Sequence, residues 1–220
     1  MARDGYRPER IRRAERMDAA GTGALERQAA LQGLDRISRW PGQRAPLLRG
    51  LAALLGKPAP RVRRLVEVGA GSGRLASWVG LRLRALGHRV EVIATDREAC
   101  EGVSKMDALA RPLPEADIYF SNLLLHHLDD ADVRTMFGLQ AAASRVGLLH
   151  CDLHRHWAHF HGAGFFLRAA RMPDIILEDG AGSIQQGFTR RELEALALGL
   201  PAAQVDWTFP FRWMLTWRRS

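Results

Sequence analysis

Histidine is concentrated in one part of this sequence. Seven of the eight histidines lie between positions 126 and 161, and an imidazole can exchange a proton near neutral pH or bind a transition metal. His126 and His127 are neighbours that cannot both face one point, so one of them is a candidate for proton transfer and packing is the alternative role. His154 is a second candidate. His150 and His154 have the i, i+4 spacing of a helical metal site, but a helix is not assured there, so we predict no metal and expect most histidines from 150 onward to be solvated.

A glycine-rich run follows a short β-branched segment and precedes a helical one. It reads Val66-Glu67-Val68-Gly69-Ala70-Gly71-Ser72-Gly73, and such glycines let the backbone turn sharply and approach a ligand closely. Spacing excludes three common motifs. A dinucleotide fingerprint would need glycine at position 74, a nucleophile elbow would need glycine at positions 70 and 74, and a P-loop would need a Gly-Lys-Ser/Thr ending. The run therefore stays a candidate binding loop for a small ligand of another kind.

Three acidic residues accompany this loop. Glu67 lies just before it, Asp96 follows the next strand, and Asp107 comes soon afterwards. Each has a structural alternative: Glu67 as a strand residue satisfied by an amide, Asp96 as a helix cap, and Asp107 as a residue with a structural role only. Only ten residues separate Asp96 from Asp107, too few for a crossover helix and a full strand. We therefore expect an abbreviated structural unit between them.

Strands and helices alternate in the elements that position these residues. The pattern predicts strands at 65–68, 90–94, 117–120 and 146–149, with helices at 74–86 and 130–142. Such alternation indicates βαβ units and a mostly parallel sheet. Thr189 and Glu192 form a capping box at the start of a further helix, and segments 205–209 and 211–217 are predicted to pair antiparallel at a sheet edge. The fold class is therefore α/β.

The regions around this core are less regular. Sparse apolar residues from Tyr6 to Trp40 favour loosely attached helices, Trp40-Pro41-Gly42 indicates a turn, and a helix is predicted from Leu47 to Gly56. We divide the chain into an N-terminal helical extension, residues 1–57, and a main domain, residues 58–220. The segment 157–172 has two open interpretations: a lid over a ligand, or an ordinary core helix.

Composition narrows the class of protein. The chain has 220 residues, of which 47% are hydrophobic and 25% are charged, which predicts a soluble globular protein. No apolar run reaches the roughly 20 residues of a membrane span, and no signal peptide is evident, so we expect a cytoplasmic protein. Two cysteines, Cys100 and Cys151, argue against a disulfide framework. The formal charge of +8 suits anionic partners, but the arginines are scattered along the chain.

The pattern acidic-x-Gly-x-Gly-x-Gly resembles motif I of the class I S-adenosylmethionine (SAM)-dependent methyltransferases. Asp96, the segment Met106-Asp107-Ala108 and the segment from Asp117 to Leu128 match further landmarks of that family in order. The resemblance implies a Rossmann-like fold that binds SAM. It implies that Asp96 accepts both ribose hydroxyls and Asp107 the adenine amino group, with the abbreviated unit leaving one side of the adenine pocket open or covered by another segment. The cofactor-binding residues it implies are Glu67, Gly69, Ala70, Gly71, Gly73, Asp96, Arg97, Met106, Asp107, Ala108, Asn122 and Leu123.

A narrower resemblance concerns the acceptor. The segments 34–39, 121–130, 151–155 and 183–193 are similar to a bacterial subgroup often associated with secondary metabolites or polyketides. It implies transfer of a methyl group to a small hydrophobic, phenolic or polyketide-derived acceptor, with O-methylation favoured. A histidine would remove the acceptor proton, with His126, His127 and His154 as candidates. Asp152 and Arg155 would orient the substrate or close the site by an ion pair.

Two other functions compete with this prediction. A nucleic-acid methyltransferase would use the net positive charge, but Ser121-Asn122-Leu123-Leu124 replaces the Asn/Asp-Pro-Pro-aromatic segment that holds a flipped base. A non-catalytic cofactor-binding or scaffold protein is conceivable because of the short unit after Asp96. The sequence does not predict the oligomeric state.

Overall fold

The structure is a computed structural model. It describes residues 6–12 and 15–16, positions 21, 23, 25, 29, 32–33 and 36–37, and the continuous stretch 44–220. The turn predicted at Trp40-Pro41-Gly42 and most of the segment 34–39 lie outside these residues.

Helix α1, Ala45–Leu55, precedes the sheet. Pro46 occupies its first turn, where a missing N–H costs little, and Gly56 ends it at φ +71°. Leu47, Leu51 and Leu54 recur at helical spacing and are buried. The helix predicted for this part of the N-terminal extension is confirmed.

A mixed sheet forms the centre of the described chain. Its strands are β1 Arg63–Val68, β2 Val90–Asp96, β3 Ser104–Lys105, β4 Ala116–Asn122, β5 Ser144–Leu153, β6 Gln204–Thr208 and β7 Arg212–Arg218. They lie in the order β3-β2-β1-β4-β5-β7-β6. The first five are parallel, whereas β7 runs antiparallel to both β5 and β6. The predicted α/β class with an antiparallel C-terminal edge is confirmed.

Helices cover both faces of this sheet. They are α2 Arg74–Ala85, α3 Asp130–Ala143, α4 Trp157–Ala169, α5 Asp174–Gln186 and α6 Arg190–Leu196. Because side chains alternate along β1, Leu65 packs with α1 and α2 on one face, while Val66 and Val68 pack with α3 and α6 on the other. Both apolar clusters are therefore anchored on the strand that leads into the glycine loop.

Several elements differ in extent from the prediction. Strand β5 has ten residues and continues well beyond the four predicted. Strand β3 has only two, and no helix lies between it and β2, so the abbreviated unit is confirmed. Helix α5 was not predicted, because Gly180 and Gly182 weaken its local pattern. It forms because Ile175, Ile176 and Ile184 are buried. No helix in the described part of the chain is both long and apolar enough to cross a membrane.

Candidate active site

The glycine loop begins where β1 ends, at the carboxyl edge of the parallel strands. Gly69, Gly71 and Gly73 have φ values of +69°, +53° and +68°, a region that side chains disfavour. A Cβ on Gly69 would lie 2.6 Å from Leu124, whereas one on Gly71 would meet nothing within 4 Å. Position 69 is therefore packed against the chain after β4, and position 71 faces open space.

Glu67 lies at the base of this loop. Its side chain is almost completely buried, and its Oε2 atom has no hydrogen-bond partner. Burial raises the pKa of Glu67 to about 8, although a hydrogen bond from the Ala76 backbone and the charge of Arg44 act in the opposite direction. A buried carboxylate oxygen without a partner is costly, so this atom marks a place where a ligand cation or donor would be stabilised.

Asp96 ends β2 and connects the strand to the loop. Its Oδ2 accepts the backbone N–H of Gly71 at 2.8 Å, and its Oδ1 lies 3.3 Å from the backbone nitrogen of Glu98. Each carboxylate oxygen can accept more than one hydrogen bond. Asp96 therefore holds the loop in place and keeps acceptor capacity towards the open space beside Gly71.

The abbreviated unit follows Asp96. Arg97 is exposed, the backbone N–H of Met106 donates to the carbonyl of Asp96 at 2.7 Å, and Ala108 is half-buried. Exposed Asp107 accepts the backbone N–H of Leu109 at 2.9 Å, a local side-chain-to-backbone hydrogen bond typical of aspartate in turns. Met106 is therefore fixed beside Asp96, and the Asp107 carboxylate is bound within its own turn.

The chain changes direction sharply after β4. Asn122 pairs with Cys151 in the sheet, and Leu123 adopts φ +62°, which is unusual for a residue with a side chain. A short 3₁₀ helix, Leu125–His127, follows. Its N-terminal side is held by Asp152 on β5, whose Oδ2 accepts the Leu125 N–H at 2.7 Å. This turn brings His126 and His127 to the same edge of the sheet as the glycine loop.

His126 is buried between two carboxylates. Its Nδ1 lies 2.7 Å from Oδ1 of Asp152, and its Nε2 lies 3.6 Å from Oε1 of Glu15. Burial lowers the pKa of His126, but the charge and hydrogen bond of Asp152, with a contribution from Glu15, raise it overall to about 9. The Nε2 of His127, whose side chain is 34% exposed, lies 3.9 Å from the same Glu15 oxygen. The expectation that these neighbours cannot both face one point is therefore wrong, because the short 3₁₀ turn brings both imidazoles to one carboxylate.

Glu15 reaches this position because residues 6–12 and 15–16 contact α5. The Arg16 N–H donates to Asp179 at 2.7 Å, the Arg7 N–H donates to Gln185 at 3.1 Å, and the Ser183 hydroxyl donates to Glu15. We call residues 6–12 and 15–16 the N-terminal arm. Sequence reasoning missed Glu15, since the arm has no motif and its docking surface, α5, was not predicted.

Arg10 fixes the middle of the arm. Its Nε donates to the carbonyl of Gln186 at 2.8 Å, its guanidinium lies 4.0 Å from the ring centre of Phe188, and it forms an ion pair with Asp130 at the start of α3. The arm therefore bridges α5 and the chain after β4.

Asp152 and Arg155, predicted to bind substrate or to pair with each other, have different partners. Asp152 bonds to His126 and to backbone amides, whereas Arg155 pairs with Glu192 at 2.7 Å and donates to the carbonyl of Pro8 at 2.8 Å. The ion pair considered between them is therefore not formed. Asp152 positions the histidine turn, and Arg155 connects the arm to α6.

The later histidines occupy an aromatic environment. His150 is fully buried in β5, where its Nδ1 lies 2.8 Å from the Ser121 hydroxyl, and burial lowers its pKa to about 3. His154 lies against Trp213, and His159 stacks on Phe211. Burial lowers the pKa of both to about 4. The expectation that most of these histidines are solvated is wrong, and His150 lies in a strand, so it lacks the helical spacing of the metal hypothesis.

Helix α4 satisfies neither simple interpretation of segment 157–172. Leu167 is buried against Ile176 of α5, as a core helix requires. Trp157, Phe165 and Phe166 are 60%, 74% and 59% exposed, which is unusual for aromatic side chains. The helix therefore buries Leu167 and leaves three aromatic side chains exposed around its surface.

No protein-family model matches the sequence, and no curated protein matches it. Solved structures share the fold. An O-methyltransferase family 2 protein from Planctomyces limnophilus, in complex with apigenin, matches with a TM-score of 0.58 and 16% identity over 91% of this chain and 63% of that one. This chain thus spans less than two thirds of that protein.

Two further structures are similar. The plantazolicin methyltransferase BpumL, in complex with SAH, has a TM-score of 0.61 and 12% identity, covering 84% of this chain and 74% of its own. CalO1, a methyltransferase in calicheamicin biosynthesis in its SAH-bound form, has a TM-score of 0.56 and 20% identity, covering 88% and 57%. Together with the strand order, these likenesses define the Rossmann-like fold of class I SAM-dependent methyltransferases.

Proposed function

We propose that this protein is a SAM-dependent methyltransferase that methylates a small hydrophobic acceptor, preferentially on oxygen. The observation that carries the proposal is the unpartnered Oε2 of buried Glu67 beside the open glycine loop. SAM carries an ammonium and a sulfonium group, and a buried carboxylate is the complementary charge. The similar structures of BpumL and CalO1 contain SAH, the product that such a site would hold after transfer.

The residues that would hold SAM follow the edge of the sheet. Glu67 would supply an acceptor oxygen and, once the ligand cation has displaced its proton, negative charge. The loop from Gly69 to Gly73 would allow close backbone approach, and Asp96 would supply acceptors for the ribose hydroxyls. The other residues are predicted to line the adenine and methionine portions: Ala70, Arg97, Met106, Asp107, Ala108, Asn122 and Leu123. When bound, SAM would supply the methyl group.

The histidine turn is the proposed acceptor side. His126 and His127 lie on the segment whose Leu124 packs against Gly69, so they are connected directly to the proposed cofactor site. Methyl transfer requires alignment and removal of the acceptor proton, and we assign that proton to this imidazole pair. Because the pKa of His126 is about 9, His126 would accept the proton only in its neutral form, whose population rises with pH. Asp152 is a positioning residue because it fixes both the turn and the Nδ1 side of His126. His154 stays a weaker candidate in its aromatic cluster.

The proposed chemical class of the acceptor is inferred from the exposed aromatic side chains of α4. Trp157, Phe165 and Phe166 expose aromatic surface suited to a planar apolar molecule, and the similar Planctomyces structure binds apigenin. The alternative acceptor, RNA, would use exposed cations. Several arginines in the described residues are instead paired with acids: Arg61 and Arg63 both contact Asp117.

The test is incubation of the purified protein with methyl-labelled SAM and two separate fractions, small metabolites and RNA, from the same host. We expect label in an organic-soluble product. Label confined to RNA would overturn the acceptor class. Calorimetry with unlabelled SAM accompanies this assay, and an absence of binding would leave the scaffold interpretation in place.

A further inference from the structure

Three potential metal ligands from distant parts of the chain converge beside the histidine turn. The Nε2 atoms of His126 and His127 lie 3.6 and 3.9 Å from the same Oε1 of Glu15, and one ligand atom from each residue lies within 4.8 Å of the others. We propose that Glu15, His126 and His127 form a binding site for a divalent transition metal ion of the zinc type. The bound ion would coordinate the oxygen of the methyl acceptor. Only this role of the ion rests on the proposed function.

The donor set determines the class of ion. Two imidazole nitrogens and one carboxylate oxygen suit Zn²⁺ and its first-row neighbours, whereas Mg²⁺ and Ca²⁺ prefer oxygen ligands throughout. With metal–nitrogen bonds of about 2.0–2.1 Å, two ligands of a tetrahedral ion are roughly 3.4 Å apart. The two separations from Glu15 exceed this by a few tenths of an ångström, and the two imidazole nitrogens lie within 4.8 Å of each other. Formation of the site would therefore need side-chain rotations that shorten these distances.

The surroundings of His126 match those of a ligating histidine. Because the Asp152 carboxylate only accepts hydrogen bonds, the Nδ1 atom facing it at 2.7 Å carries the proton. A bound ion would replace the second imidazole proton, so that the Nε2 lone pair would be directed towards Glu15. A metal-bound histidine is usually oriented by such a carboxylate on its other nitrogen. The Ser183 hydroxyl similarly holds Glu15.

The cluster also has the charge and access that an ion requires. Glu15 and Asp152 place two carboxylates around one buried imidazole, which is an excess of negative charge that a divalent cation would balance. The 34% exposed side chain of His127 provides a route from solvent. Three protein ligands leave a coordination position for water or an acceptor oxygen, as in catalytic zinc sites. A coordinated hydroxyl loses its proton more readily because the ion stabilises the resulting oxyanion.

The test is a Zn²⁺ titration of the full, chelator-treated protein in competition with a chromogenic chelator, followed by Co²⁺ absorption spectroscopy. We expect one ion per chain. Glu15→Gln and His127→Ala should each weaken Zn²⁺ binding at least tenfold, and Asp152→Asn should weaken it about 10–100-fold. His126→Ala is informative only where circular dichroism shows a folded chain. The conclusion therefore depends on Glu15→Gln and His127→Ala, which leave the buried His126–Asp152 pair in place.

A matched control addresses the other histidines. The double variant His156→Ala/His161→Ala removes imidazoles outside the cluster and should bind Zn²⁺ as the parent does. If the control loses the ion, or if Glu15→Gln and His127→Ala bind it undiminished, the cluster is only an ion pair and the proposal is overturned. SAM binding, measured separately by calorimetry, distinguishes this failure from that of the proposed function, because the Zn²⁺ titration requires neither SAM nor acceptor.

Discussion

At the scale of single residues, Glu67 combines a cost in stability with a proposed role in binding. The folded chain holds its proton with a pKa of about 8, against an ordinary value of 4.5. Protonated Glu67 therefore stabilises the fold fully below pH 4.5, and this stabilisation is lost as the pH rises to about 8. Between these two pH values, the free energy of unfolding falls by about 1.4 kcal/mol per pH unit.

Glu67→Gln should remove this pH dependence. We expect the variant to be more stable than the parent at pH 8 in urea unfolding without ligand, because no buried charge forms. The same variant should bind SAM at least tenfold more weakly, because the carboxylate that would face the ligand cation is gone. Calorimetry at pH 8 measures the second effect. Unchanged SAM affinity would separate Glu67 from the binding site.

Asp96 allows a finer comparison. Asp96→Ala should abolish SAM binding without unfolding the domain, because it removes both the proposed ribose acceptors and the anchor of the Gly71 amide. Asp96→Asn retains one acceptor oxygen for that amide and should keep part of the affinity. Calorimetry and thermal melts on both variants give the answer. Parent-like affinity in Asp96→Ala would mean that the ribose anchor is misassigned.

The histidine pair should separate stability from turnover. His126→Ala leaves buried Asp152 without its partner, which costs about 3–5 kcal/mol, whereas half-exposed His127 should cost under about 1 kcal/mol when replaced by alanine. We also expect the two variants to differ in methyl transfer, measured with labelled SAM under conditions where both are folded. Full activity in both would exclude the pair from the mechanism.

At the scale of elements, local patterns explain which parts could be predicted. The strand before Gly69, the capping box at Thr189 and the C-terminal hairpin depend on neighbouring residues, and all are present. The strand end carrying Asp152 and the turn carrying His126 could be placed at one sheet edge for the same reason. Their mutual hydrogen bonds required the three-dimensional register of β4 against β5.

Glu15 could not be found in this way. Its hydroxyl partner, Ser183, is 168 positions away, and Ser183 lies on a helix that forms only because its isoleucines are buried. Periodicity within a window of the sequence contains no information about such a contact. The surroundings of His126 were therefore predicted incompletely, whereas the glycine loop and Asp96 lie at strand ends that consecutive βα units place in advance; their binding roles stay predictions.

The N-terminal arm is held mainly by Arg10, which gives an element-scale prediction. Arg10→Ala removes the contacts to Gln186, Phe188 and Asp130 and should cost about 1–3 kcal/mol if they act together. Limited proteolysis should then cleave the arm faster. The control is Arg145→Ala, whose ion pair with exposed Glu115 lies at the opposite end of the strands and should leave the cleavage rate unchanged.

At the scale of the whole molecule, the two halves of the proposed site come from different parts of the chain. Deletion of residues 1–16 removes Glu15 and the arm but leaves the glycine loop and Asp96 intact. We expect this truncated protein to bind SAM with affinity within a few-fold of the parent and to lose most methyl transfer. Calorimetry and the labelled assay measure the two effects. Full turnover would show that the arm is dispensable.

The docking of the arm on α5 also determines the order in which parts of the chain can fold during translation. A ribosome delivers the chain from its N-terminus, so β1, the glycine loop and β2 emerge before residues 174–186 exist. The arm, although made first, has nothing to dock on until α5 has emerged. A nascent chain can therefore form the proposed methyl-donor site early, while the wall that would face the acceptor closes only after α5 has emerged.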